Sequence, residues 1–331
     1  MSAVSRILLL ALALACAAGP ALPQDRSAAD AEATLSAVVR VQSRILPDAR
    51  TAPTLGARRE GSGVLVRAGY VLTIGYLVIE AEAIEVTAGD GMSVPATLAA
   101  YDHATGFGLL KLVAPLSGKP LPLGDSTALA ERDAAMVVGH GGGEALNLVT
   151  VVSRRPFSGS WEYLLDAAIF TYPPVHNWSG AALISARGEL LGVGSLIVPD
   201  AGGAGTPSPG NLFVPIDLLK PILDDLIAHG RAPGPRRPWL GVYAEELRGR
   251  LFVARVAREG PAERAGVSSG DIVIGVGGEE VASLADFYRK VWARGAAGVE
   301  VPLRLLQGLE VKDLRVRSID RPEYFRRKPS Y

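Results

Sequence analysis

The chain has 331 residues, enough for about two domains of ordinary size. Its 34 Lys and Arg balance 34 Asp and Glu, leaving no net charge to draw a nucleic acid, and 48% hydrophobic residues exclude wholesale disorder. A single Cys excludes an internal disulfide framework and any cysteine-cluster zinc site.

Residues 1–23 begin with Arg6, an apolar run from Ile7 to Ala15 and small residues up to Ala21. A basic start, about 10 apolar residues and a small-residue exit describe a secretory signal peptide, and the run falls short of the roughly 20 residues that span a bilayer. The expected location is exported, in the periplasm or cell envelope. The segment Ala13-Leu14-Ala15-Cys16 also leaves open a lipid anchor on the lone thiol. From about residue 34 to 214, short β-forming runs alternate with Gly and Pro, as in Gly63–Val66, Tyr70–Thr73, Ile84–Thr87, Ala135–Val138 and Leu190–Val193. This spacing predicts a sandwich or a pair of barrels. Leu218, Leu219, Ile222, Leu223, Leu226 and Ile227 then recur at helical spacing, with Asp217 as the expected cap and Gly230 as the stop. Residues 231–238 are a Pro-rich linker, residues 239–320 a second unit with a helix near 283–294, and residues 321–331 a basic tail expected to be mobile. The Gly-rich stretch 201–210 is expected to be a flexible insertion.

The second unit carries specific motifs: Trp239-Leu240-Gly241-Val242, Leu251-Phe252-Val253, Gly260-Pro261-Ala262-Glu263-Arg264-Ala265-Gly266-Val267 and Gly270-Asp271-Ile272-Val273. In this order they resemble a PDZ domain of the bacterial HtrA type. The resemblance implies that Trp239, Leu240, Gly241 and Val242 receive the end of a peptide. Successive backbone N–H groups there would form a carboxylate nest, and an edge strand would pair with the peptide backbone. Ser283 would cap a helix whose Phe287 helps wall the pocket.

The first unit, residues 34–230, resembles the chymotrypsin-like double β-barrel of the same family. The resemblance is carried by Gly61-Ser62-Gly63-Val64-Leu65, Gly69-Tyr70-Val71-Leu72-Thr73, Leu109-Leu110-Lys111-Leu112 and Val214-Pro215-Ile216-Asp217. The expected fold is therefore an all-β double barrel followed by a C-terminal PDZ domain. Acyl transfer on that scaffold needs a Ser, a His that takes its proton and an Asp that orients the His. Ser179, in Asn177-Trp178-Ser179-Gly180, aligns with the nucleophile, but Tyr76 stands in the His place and Gly106 in the Asp place. A phenol with an ordinary pKa of about 10 stays protonated at neutral pH and is a poor base for a hydroxyl. Asn177 replaces a glycine of the oxyanion loop, whose donors would be the N–H groups of Asn177 and Ser179. Asn tolerates left-handed backbone better than most residues, so the loop shape is expected to survive.

His103, His140 and His176 lie in loops that the resemblance brings near the cleft, and a displaced His is the route by which activity would survive. No metal site is expected, since Asp102, His103 and His176 lack zinc-type spacing, and no cofactor is implied. The leading expectation is an exported pseudoprotease that binds peptide ends or unfolded envelope proteins. It would act alone as a homo-oligomer or beside an active relative, with no nucleic-acid partner. The alternative is a working HtrA-type endopeptidase that uses Ser179.

Overall fold

The computed structural model describes residues 28–203, 205 and 207–325. The expected signal peptide and Cys16 lie outside the described residues. After α1 (Ala28–Ser36), the strands β1 (Val38–Ile45), β2 (Arg58–Arg67), β3 (Tyr70–Ile74), β4 (Ala81–Thr87), β5 (Ser93–Tyr101) and β6 (Phe107–Leu112) close a barrel in the order β1-β2-β3-β6-β5-β4, with the short helix α2 (Ala52–Leu55) between β1 and β2. A second barrel follows from β7 (Ala134–Val138), β8 (Leu146–Gly159), β9 (Tyr163–Tyr172), β10 (Ala182–Ile184), β11 (Leu190–Val198) and β12 (Gly210–Pro215), in the order β10-β11-β12-β9-β8-β7. Closure leaves no exposed sheet edge in either barrel.

The expected β runs all fall inside these strands. Val41, Val64, Val71, Leu72, Val86, Leu109 and Leu110 of this barrel join one buried cluster, each 3% exposed or less, with β3 and β6 covered on both faces. Burying a side chain of this size contributes about 1.5–3 kcal/mol before the entropy of ordering it is counted. Val137, Val151, Ile169, Leu183 and Phe213 fill part of the second barrel in the same way.

The helix expected from 217 to 230 is shorter than its periodicity implies. Residues Ile216–Leu218 form one 3-10 turn, and α3 begins only at Leu223 and runs to His229. Pro221 accounts for the break, because its ring disfavours the helical conformation at Lys220 and removes one N–H. Asp217 does not cap α3; its carboxylate accepts from the Ser126 N–H and hydroxyl, both at 2.5 Å.

The C-terminal unit has the sheet order β13-β14-β15-β17-β18, built from β13 (Val242–Leu247), β14 (Arg250–Val256), β15 (Ile272–Val276), β17 (Glu300–Gln307) and β18 (Glu310–Arg317), with β16 (Glu279–Glu280) paired to β15. It also holds α4 (Pro261–Arg264) and α5 (Leu284–Trp292). The expected cap of α5 is formed: Ser283 Oγ accepts the Asp286 N–H at 3.1 Å. The linker is fastened to this unit, with the Arg237 guanidinium 4.3 Å from the Trp292 ring centre and the Arg236 carbonyl accepting the Ala297 N–H.

The described parts of two segments expected to be loose are held, and residues 326–331 of the tail lie outside the described residues. The last turn, α6 (Arg321–Tyr324), docks on the body of the protein: Tyr324 lies 4.7 Å from the Trp239 ring, and Arg321 is buried. Tyr324 donates to the Arg258 carbonyl at 2.9 Å and Arg321 to the Trp161 carbonyl at 3.2 Å, partners that a fully solvated turn lacks. The Gly-rich insertion is pinned at its ends, where Ala201 N–H donates to the Ser208 carbonyl at 2.7 Å and Ser208 N–H to the Pro199 carbonyl.

Candidate active site and peptide groove

Between the barrels, the backbone of Ser179 rests on β2. Ser62 N–H donates to the Ser179 carbonyl at 2.7 Å, and Thr73 Oγ1 donates to the Ser62 carbonyl at 2.7 Å. The next residue must be glycine: Gly180 has φ +72°, and a Cβ there would lie 2.0 Å from the Ser62 carbonyl oxygen. Ser179 is thus presented at the barrel interface on a tight turn.

Its hydroxyl meets a phenol. Tyr76 Oη lies 2.8 Å from Ser179 Oγ and 2.9 Å from the Ser195 carbonyl oxygen. The carbonyl can only accept, so when the single phenolic proton goes to it, Ser179 must donate its own proton to the phenol oxygen. That phenol is a weak acceptor of a proton it would have to keep. Burial, opposed only in part by the Ser179 hydroxyl, pushes the Tyr76 pKa up to about 12. A group that stays protonated to such a pH is neither a base nor, once protonated, a cationic acid.

Gly106 has φ +81°, and a Cβ added there would meet the Tyr163 hydroxyl oxygen at 3.2 Å and the Tyr163 ring at 3.4 Å. Tyr163 donates to the Thr105 carbonyl at 2.6 Å, so the space where a carboxylate would orient a histidine is occupied by an aromatic side chain. In the oxyanion loop, Asn177 does not take the left-handed conformation that its chemistry permits; Gly180 does. The Asn177 side chain instead donates to the His140 carbonyl at 3.1 Å. Among the described residues the amide N–H groups of Asn177 and Ser179 find no acceptor within the protein, so both donors remain available.

The histidines do not reach Ser179. His103 Nδ1 lies 3.2 Å from the Tyr101 hydroxyl, and both ring nitrogens lie within 2.8 Å of the Arg321 guanidinium. Burial, with Arg321 and Arg237 nearby, holds its pKa well below the usual imidazole range. The neighbouring Asp102 carboxylate is taken by the Thr105 N–H and hydroxyl, so the two do not form a dyad. His176 is exposed. His140 is engaged by a different serine: its Nδ1 lies 3.1 Å from Ser62 Oγ, its backbone N–H donates to that oxygen at 2.9 Å, and its Nε2 lies 3.4 Å from a Glu60 carboxylate oxygen. The sequence reading missed this Ser62–His140–Glu60 string, since nothing in the spacing of 60, 62 and 140 announces it. Ser62 is fully buried, so its hydroxyl is closed to a substrate, while the imidazole and carboxylate it holds reach the surface. Among the described residues no group of three or more His, Cys, Asp or Glu is placed to hold a metal ion.

The peptide groove of the C-terminal unit is more specific. The N–H groups of Leu240, Gly241 and Val242 converge as expected, but the Trp239 N–H does not join them, because it donates to the Ile319 carbonyl at 2.9 Å. The converging donors already hold a carboxylate. Glu162 Oε1 accepts from Gly241 at 2.6 Å and Val242 at 2.9 Å, and Oε2 accepts from Leu240 at 3.0 Å. Glu162 sits in the turn between β8 and β9 with φ +60° and is 3% exposed. Beside it the Ser160 carbonyl accepts the Ala244 N–H of the edge strand β13 at 3.1 Å. The Tyr288 hydroxyl of α5 donates to the Gly159 carbonyl at 2.7 Å and accepts the Glu162 N–H at 3.1 Å. Phe287, expected to wall the pocket, is buried in the same core as Leu164, which enters from β9. The one local signal for this contact is a charged residue where a tight hairpin turn favours Gly or Asn.

Comparison with known proteins agrees with this architecture. Residues 61–193 match the trypsin-like peptidase domain model, and residues 238–317 match the PDZ domain model. A probable periplasmic serine protease do/HhoA-like of Haemophilus influenzae is 28% identical over 277 residues, covering 78% of this chain and 57% of its own length. The periplasmic serine endoprotease DegP of Escherichia coli is 28% identical over 253 residues, covering 70% of this chain and 51% of its own. The chain thus spans about half the length of the curated relatives it matches. The solved HtrA-type protease AlgW with a decapeptide superposes with a TM-score of 0.55 at 23% identity, over 92% of this chain and 100% of that one. A serine endoprotease from Yersinia pestis gives 0.51 at 23% identity, over 88% and 97%.

Proposed function

We propose that this chain, a trypsin-like peptidase domain joined to a PDZ domain and homologous to DegP/HtrA proteins, is an exported pseudoprotease that binds peptide ends or unfolded envelope proteins through its PDZ domain. One observation carries the reading: the hydroxyl of Ser179 faces the Tyr76 phenol where a serine protease needs an imidazole. In well-studied serine proteases, losing the histidine alone costs roughly a million-fold in turnover, about as much as losing the whole triad. The aromatic ring over Gly106 removes the orienting carboxylate as well. The two free amides at Asn177 and Ser179 offer a remnant of oxyanion stabilisation, worth roughly a thousand-fold over water when intact, which is far below protease rates.

Export is supported by the signal-like segment and by the periplasmic relatives, and among the described residues no helix is long and apolar enough to cross a membrane. Peptide binding is supported by the convergent N–H groups of Leu240–Val242 beside an edge strand and an apolar pocket, and by the decapeptide in the structural neighbour AlgW. Homo-oligomerisation or co-assembly with an active relative belongs to the same proposal.

The test is a fluorophosphonate probe combined with digestion of an unfolded protein, run on the full chain and on Ser179→Ala. The expected result is no labelling and no cleavage above the variant. Cleavage that disappears with Ser179→Ala would instead make the chain a working endopeptidase.

A further inference from the structure

We infer that the PDZ groove is held shut by an internal ligand, the β8–β9 turn of the peptidase-like unit, with the Glu162 side chain seated where a peptide's terminal carboxylate would go. The inference rests on the PDZ reading above and adds its regulation.

A peptide end uses three features of such a groove: a carboxylate site, a free edge strand and an apolar pocket. The chain's own turn and the start of β9 take all three. Glu162 fills the donors of Leu240, Gly241 and Val242, Ser160 pairs with Ala244 on the open edge of β13, and Leu164 packs among Leu240, Val242 and Phe287. Outside the groove, an exposed ion pair between Asp166 and Arg289 of α5 spans the same contact at 2.7 Å. Three N–H groups cannot serve two carboxylates at once, so an incoming peptide competes directly with Glu162. The groove therefore accepts a ligand only after the turn withdraws, and the apparent affinity falls by the fraction of molecules that are open.

The turn itself favours this use. A glutamate at φ +60° is an uncommon choice for a hairpin turn, where glycine would relieve the backbone. Its carboxylate supplies a bond set that glycine cannot.

The experiment uses the full chain, Glu162→Ala, and Glu162→Gly as a variant suited to the positive φ. Two readouts are followed. The first is hydrogen exchange of the Leu240, Gly241 and Val242 amides. The second is binding of a dye-labelled decapeptide ending in Ala-Val-Leu with a free carboxylate, beside its C-terminally amidated twin. The expected result is at least about 10-fold faster exchange at those amides in both variants, and at least about 10-fold tighter binding of the free-carboxylate peptide, the factor set by an open fraction of a tenth or less. Equal exchange in the parent and both variants overturns the inference, whatever the peptide does, as does measurable peptide binding of equal affinity in all three proteins. Faster exchange in the variants without any peptide capture supports the seating of Glu162 and overturns the peptide-binding reading instead.

Discussion

The Tyr163 hydroxyl stands 3.2 Å from where a side chain at Gly106 would begin, while its donated bond to the Thr105 carbonyl locks it there. A carboxylate placed at Gly106 would therefore have to displace Tyr163 and hold a left-handed backbone. Repairing the triad with Tyr76→His and Gly106→Asp is expected to produce no fluorophosphonate labelling. Gly106→Asp alone should lower stability by about 1–3 kcal/mol through its left-handed backbone and the crowding at Tyr163. Urea denaturation measures the second effect. Labelling of the double variant that Ser179→Ala abolishes would show that the cleft has more room than the packing implies.

Tyr76 is as much a brace as a replacement. Its phenol is the donor to the Ser195 carbonyl, which belongs to a residue 5% exposed. Tyr76→Phe leaves that oxygen without this partner and should cost about 1–3 kcal/mol in denaturant unfolding. The pKa near 12 lies above the ordinary phenol value, so the folded state holds its proton more tightly than the unfolded state does. Stability attributable to Tyr76 is full below pH 10 and declines as pH rises from 10 toward 12, and Tyr76→Phe should lack that part of the decline.

The Glu162 contact should respond to pH in a defined direction. Burial raises its pKa to about 7 against the pull of the Leu240, Val242 and Gly241 amides and of Arg321. The groups around it are the Tyr288 hydroxyl on α5, the Arg321 guanidinium on α6, and Arg237 and His103, which line the same small cavity. Since the seated carboxyl holds a proton more tightly than a free one, the closed state is favoured by acid and weakens as pH rises from about 5 to 7. Affinity for a free-carboxylate peptide should therefore rise over that interval in the parent chain and stay flat in Glu162→Gln. Fluorescence anisotropy across pH 5–8 measures it, and a flat parent profile would contradict the expectation.

His140 provides a separate titration. Burial lowers its pKa below the usual imidazole value, while the Glu60 carboxylate opposes the shift. Glu60→Gln removes that opposition and should move the His140 midpoint, read by NMR, further down. Because the folded state disfavours the imidazolium, stability linked to His140 falls as pH drops below 6.5, and it should fall more steeply in the variant. An unchanged midpoint would mean that the 3.4 Å contact carries no electrostatic weight.

Much of the architecture was legible in local patterns. The alternation in Tyr70–Thr73 and Ala135–Val138, the Ser283 cap and the Leu240-Gly241 loop each describe a few neighbouring residues, and the structure forms them as expected. The placing of Tyr76 and Gly106 at triad positions rests on the resemblance alone, because it needs only position along the chain. The break at Pro221 was available in principle, yet helical spacing of leucines outweighed it.

What the sequence determined by itself was the order of two domains and the identities of Tyr76, Gly106 and Ser179 at the places where the resemblance puts a triad, both consequences of residue identity within short segments. Which groups face one another was decided only by the tertiary fold. Glu162 reaches Leu240 across 78 positions and His140 reaches Ser62 across another 78, distances over which no periodicity carries information. The hydrogen bonds that close the groove and brace the cleft exist because chain reversal and burial force polar groups to find partners wherever the packing leaves them.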